Sequence, residues 1–189
     1  MFKLSLSLSA IATLAILALT PFAPAMAQGN PDNLLPQRDY QMPVEALSLE
    51  EMLAHAPPGQ DRQALDTALA WIQALIDGDR QQLRNLASDT IFIDQRGYTI
   101  EEVLAQMDKA PEFPYRPLAF VITPMVDPVT GERYESRGTE GLNLGPFDRS
   151  VGLLFGTPTG DGLYQAQEGV ELYIRYVPEG IYRVAGMWD

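Results

Sequence analysis

The sequence predicts an α+β domain. Helical periodicity fills the stretch from Ser48 to about 109. From Leu118 onward the chain turns β-rich, with short runs separated by turn chemistry. No internal repeat is present, so helices first and a meandering antiparallel sheet after indicate α+β.

The N-terminus reads as an address. Lys3 is followed by the apolar, uncharged run SLSLSAIATLAILALT, then Pro21, Pro24 and Ala25-Met26-Ala27. A basic start, a short apolar core and a small-x-small site make a secretory signal peptide over residues 1–27, cut between Ala27 and Gln28. The competing reading is a membrane anchor. The run is short for a span of ~20 residues, and two prolines precede a good cleavage site. An exported protein, periplasmic or secreted, with no stable membrane anchor after cleavage, is the expectation. No cysteine follows the site, which excludes attachment through a lipidated cysteine.

The bulk properties restrict function. The chain has no cysteine, so it relies on its core rather than on disulfides. A formal net charge of −12 repels nucleic acid and anionic lipid heads, and no nucleic-acid partner is expected. The remaining length suits one domain.

Residues 28–47 form an extended lead-in rich in Pro, Asn, Asp and Gln, with apolar spots at Leu34, Leu35, Tyr40 and Met42. The domain proper is expected over 48–189. Ser48 with Glu51 is a capping box opening a helix at 49 to 55, ended by Pro57-Pro58-Gly59. The next helix spans about 61 to 77. Leu65, Ala68, Leu69, Ile72, Leu75 and Ile76 form its apolar face, with Trp71 at the edge. Gly78 suits a left-handed stop, and Asp79 caps a helix at about 80 to 87, a contribution of ~1 kcal/mol.

Thr90 to Asp94 reads as a strand and Gln95-Arg96-Gly97 as its turn. Thr99 with Glu102 is a second capping box, for a helix at about 100 to 109. Residues 118–126 read as a strand, with Arg133 to Thr139 returning as its hairpin partner after the turn Asp127 to Gly131. Strands follow at 151–155, 164–177 and 181–188. Alternation puts Val170, Leu172, Ile174 and Tyr176 on one face and Glu171, Tyr173 and Arg175 on the other. In the last strand Ile181, Arg183, Ala185 and Met187 oppose Tyr182, Val184 and Trp188. Both faces carry apolar side chains. The second face therefore needs a cover, either a dimer mate or the segment 28–46.

Three pieces of the chain carry a family resemblance: ALIDGDRQQLRNLASDTIFID, QRGYTIEEVLAQM and GVELYIRYVPEGIYRVAGMWD. In this order they resemble the nuclear transport factor 2-like superfamily, in its SnoaL-like and ketosteroid-isomerase-like branch. The resemblance implies a cone-shaped curved antiparallel sheet wrapped around N-terminal helices, an apolar pocket at the open end, and homodimers through the sheet. Trp71, Leu75, Phe92, Tyr98, Phe120 and Tyr173 are the expected pocket residues, for a small apolar ligand. The fold hosts isomerases, cyclases, hydrolases and binding modules, so it implies no single function.

Asp94 is the candidate catalytic residue. In the resembling isomerases the acid at the end of this strand abstracts a proton, and an ordinary carboxylate can do so. The competing reading is an Asp accepting turn amides from Arg96 and Gly97. The rest of the isomerase pattern is missing. Trp71 stands where those enzymes carry a tyrosine, and an indole is a poor donor to a developing enolate. Glu171 is a weak match for their second, protonated acid. Asp189 stands near the place of the cyclase aspartate, and Arg175, Arg183 and Asp94 match the epoxide-hydrolase set only loosely.

The single histidine, His55, sits at a helix end, where a cation is an ordinary stabiliser. With no cysteine and one histidine, no metal site and no cofactor are expected. The expected function is ligand binding or interaction by an exported domain. The alternative is a proton-transfer enzyme of isomerase or cyclase type using Asp94 as base.

Overall fold

A computed structural model describes residues 42–106, 116–134, 139 and 141–188. The expected signal peptide, most of the expected lead-in and Asp189 lie outside the described residues. No helix among the described residues is long and apolar enough to cross a membrane.

Local signals produce the helices. Helix α1 is Leu49–His55. Its capping box is closed: the Ser48 amide donates to Glu51 Oε2 at 2.8 Å, and the Glu51 amide to Ser48 Oγ at 3.2 Å. Helix α2 is Gln60–Asp77, stopped by Gly78 at φ 67°, where a side chain is costly and glycine is not. Helix α3 is Arg80–Leu86, with Asp79 Oδ1 accepting from the Gln82 amide at 2.9 Å. Helix α4 is Ile100–Gln106, behind the second closed box, Thr99 with Glu102.

The strands are β1 Ala87–Ile93, β2 Arg96–Tyr98, β3 Arg116–Pro124, β4 Arg149–Pro158, β5 Tyr164–Tyr176 and β6 Tyr182–Trp188. They form one open sheet in the order β2-β1-β6-β5-β4-β3. All neighbours are antiparallel except β1 and β6, which run parallel. The sheet is therefore mixed rather than wholly antiparallel. Five elements, β2, α4, β3, β4 and β5, separate β1 from its parallel partner β6 in sequence. Register breaks in four of the pairings bend the sheet, as bulges do.

The main core lies between the sheet and α2. Leu65, Ala68, Leu69 and Ile72 of α2 meet Phe120, Leu153, Leu172 and Val184 from four strands. Burying each large aliphatic side chain contributes about 1.5–3 kcal/mol.

Three local expectations change. The strand ends at Ile93, not Asp94, so the turn is Asp94-Gln95. The partner of β3 is β4, which follows a long excursion. Among the described residues, segment 127–134 returns through the Val126–Arg133 bridge and a Tyr134 amide bond to Met125 O, and residues 135–138 of the expected partner lie outside them. In β6 the alternation breaks: Tyr173 pairs with Gly186 but Ile174 with Val184, leaving Ala185 extra. Val184 and Met187 therefore both face the main core, while Ala185 and Trp188 face the other side. A one-residue bulge moves every later side chain to the opposite face.

The chain supplies its own cover for much of that second face. Leu142 and Leu144, from the loop before β4, pack with Tyr173 and Ala185 and against Phe92 and Trp188. Val44 and Ala46 pack against a cluster of Leu118, Ala119, Leu154 and Ala166. Val44 also pairs with Tyr164 through two backbone hydrogen bonds of 2.9 and 2.7 Å. The C-terminal end of the lead-in is thus part of the fold.

Candidate functional site

The expected site residues do not converge. Asp94 is exposed at the tip of the β1–β2 hairpin. It has φ 49° and Gln95 has φ 66°, and Ile93 faces Arg96 across the turn. Two central residues at positive φ mark the type I′ turn, which matches the twist of the flanking strands. Asp tolerates that conformation better than most residues. The turn places Asp94 at this exposed tip rather than within the strand.

The six apolar candidates divide between two sides of the sheet. Trp71 and Phe120 are buried in the main core, and Leu75 packs against it. Tyr173 is fully buried on the other side, with Phe92 packed beside it. Tyr98 is half-buried at the end of β2. The division follows from strand alternation: Phe92 lies between the core-facing Ile91 and Ile93. The Trp71 indole N–H has no hydrogen-bond partner among the described residues.

A cavity of about 470 Å³ lies elsewhere, against the C-terminal half of α2. Residues 46–49, at the junction of the lead-in and α1, form one wall. Leu69, Ile72 and Ile76 of α2 form the second, with Gln73 and Asp77 beside them. Arg116 and Pro117 at the start of β3, and Tyr164 at the start of β5, close the third. Leu69 and Ile72 repeat at helical spacing and are already needed by the core. Ile76, one turn further on, is only half-buried and leaves the space open.

A second polar group sits on the far face. Glu171 accepts from the Tyr173 hydroxyl at 2.8 Å and from the Ser150 hydroxyl. Ser150 and Tyr173 are register partners on β4 and β5, and Glu171 stands two residues before Tyr173. Burial, and then the neighbouring Glu171 charge, push the Tyr134 phenol above its ordinary value. Both Glu171 oxygens are occupied by hydroxyl donors, so the group reads as a satisfied half-buried carboxylate rather than a free solvent-facing charge. No group of three or more His, Asp or Glu that could hold a metal occurs among the described residues.

The chain is similar to ketosteroid isomerase-like proteins. A proposed ketosteroid isomerase from Shewanella frigidimarina is 13% identical, with a TM-score of 0.43 over 68% of this chain and 95% of that one. The helical cell shape determining protein Pgp2 from Campylobacter jejuni is 9% identical, with a TM-score of 0.44 over 68% of this chain and 41% of that one. A ketosteroid isomerase-like protein from Erwinia carotovora atroseptica is 13% identical, with a TM-score of 0.40 over 66% of this chain and 90% of that one. No protein-family model matches the sequence, and no curated protein is similar to it at a significant level. These are likenesses of fold and transfer no reaction or ligand to this chain.

Sequence reasoning missed the cavity residues because they come from four separate segments. One signal was available. Ile76 extends the apolar face of α2 to its last turn, where it is only half-buried. The Pro117 and Tyr164 contributions depend on strand register and have no local signature.

Proposed function

We propose that the protein is an exported binding module that takes a small, mainly apolar molecule in the cavity between α2, the 46–49 segment and the starts of β3 and β5. The cavity carries the reading. Its volume of about 470 Å³ falls in the range of small-molecule sites, roughly 300–1,000 Å³. Its walls combine aliphatic side chains with the polar groups of Ser48, Gln73, Asp77, Arg116 and Tyr164. The N-terminal pattern of residues 1–27 supports export. Asp94 does not line this cavity, so nothing in its geometry favours a proton-transfer reading over binding.

The test is titration with an uncharged environment-sensitive dye such as Nile red. Binding to the unchanged protein is expected to be saturable and stoichiometric. Ile76→Trp and Leu49→Trp each place a larger side chain in the space and are expected to weaken dye binding at least tenfold, with melting temperature retained. Leu49 is 38% exposed, so the second variant disturbs the core least. Equal dye affinity in both variants would sink the assignment.

A further inference from the structure

The side-chain polar groups around the cavity are already engaged, with one exception. The Ser48 hydroxyl donates to Glu51 Oε2 at 2.7 Å. Asp77 Oδ2 accepts from the Gln73 amide at 2.9 Å. Arg116 is engaged as well. Ser48, Gln73, Asp77 and Arg116 are all exposed and form a solvated rim. Leu47, Leu69 and Ile72 are buried and form an apolar floor. Tyr164 belongs to neither group. It is half-buried and lines the cavity. Its backbone bonds Val44 in both directions, and its hydroxyl has no hydrogen-bond partner among the described residues.

We propose, given the reading of this cavity as a binding site, that its ligand is uncharged and carries a hydrogen-bond acceptor, an ester or alcohol oxygen, which the Tyr164 hydroxyl meets. The apolar body lies on the floor of Leu47, Leu69 and Ile72. A charged head group would need an uncommitted opposite charge on the lining, and both charged lining residues are engaged. Burying a charge without such a partner is costly. An anion also meets the net charge of −12. An uncharged molecule takes the aliphatic floor without that cost, and its oxygen gives the half-buried phenol a partner. A single well-placed hydrogen bond of this kind fixes orientation in a site that is otherwise apolar.

Displacement of Nile red from the full chain tests it, with methyl octanoate, octanoate, octyltrimethylammonium and butylbenzene as probes below their solubility limits. Methyl octanoate is expected to compete about tenfold better than either ion, because an ion must shed water without gaining an opposite charge. Tyr164→Phe keeps the ring and removes the hydroxyl. It is expected to weaken methyl octanoate about two- to tenfold, the scale of one neutral hydrogen bond, and to leave butylbenzene, which has no acceptor oxygen, unchanged. Two results overturn the ligand class while leaving the cavity intact. One is an ion competing as well as the ester. The other is Tyr164→Phe changing the ester no more than it changes butylbenzene. If no probe displaces the dye, or if Ile76→Trp leaves displacement as it was, the binding reading falls and this inference falls with it.

Discussion

Arg149, the first residue of β4, reaches back to Asp61 in the first turn of α2. Its Nε lies 2.6 Å from Asp61 Oδ1. The same guanidinium donates to Pro146 O, Asp148 O and Gln60 Oε1, so nearly all its donors are engaged. It is buried, and it pins the helix start to the sheet across 88 residues of chain. The pair is partly buried, and removing Asp61 leaves the buried Arg149 charge short of its carboxylate. Asp61→Ala is therefore expected to cost about 3 kcal/mol. Chemical denaturation of the variant checks this, and a loss below about 0.5 kcal/mol would show the pair to be peripheral.

Gly186 follows Ala185, the bulged residue that reverses the faces of β6. A Cβ there would lie 3.0 Å from Tyr173 Cδ2, 3.1 Å from Phe92 O and 3.2 Å from Leu142 Cδ1. Leu142 can shift, but the β1 backbone cannot. Gly186→Ala is expected to destabilise by about 2 kcal/mol, as overpacking does. Calorimetry is the measurement, with near-UV circular dichroism to report the Tyr173 and Trp188 surroundings.

The β1–β2 turn separates the structural from the catalytic reading of Asp94. Gln95 holds φ 66° without being glycine. Gln95→Gly relieves that strain and is expected to stabilise by about 1 kcal/mol, or roughly 2–4 °C in melting temperature. Asp94→Asn keeps a residue that accepts positive φ, so its melting temperature should stay within a degree or two. Its dye affinity should match that of the unchanged protein. A loss of any ligand-dependent activity in Asp94→Asn would restore the acid as a functional group.

Two phenols resist ionisation. Burial first, and then the carboxylates of Asp61 and Asp148, raise the Tyr182 phenol, with Arg149 pulling the other way. Burial and Glu171 raise Tyr134. The unfolded chain releases these protons first, near pH 10. Their contribution is therefore intact below that value and is lost as pH rises through the higher folded values. Denaturation midpoints between pH 9 and 11.5 should fall, and Tyr182→Phe should flatten the slope. Absorbance at 295 nm should show late-titrating tyrosines.

The helices were legible because their causes are local. Ser48 with Glu51, Thr99 with Glu102, and Gly78 followed by Asp79 each act within one turn of chain. The runs of β1, β3, β4, β5 and β6 were legible to within two or three residues of their ends, but β2 read as a turn and the expected partner at Arg133 to Thr139 is not a strand of the sheet. The site was not. Alternation counted through β6 misplaces Met187 and Trp188, since no residue pattern reveals that Ala185 is skipped. Asp94 reads as a strand end until the Ile93–Arg96 pair makes it a turn residue.

By itself the sequence determined the helices, most of the strands, the caps, the negative charge and the absence of disulfides. All are set by composition or by neighbours within about four positions. Only the tertiary structure decided which side of the sheet Phe92 and Tyr173 occupy. It also decided that Leu142 and Leu144 cover that side, and that Ala46, Ile76, Arg116 and Tyr164 meet around one cavity. Those outcomes depend on register and on contacts between segments far apart in the chain, and a shift of one residue in a strand reverses them.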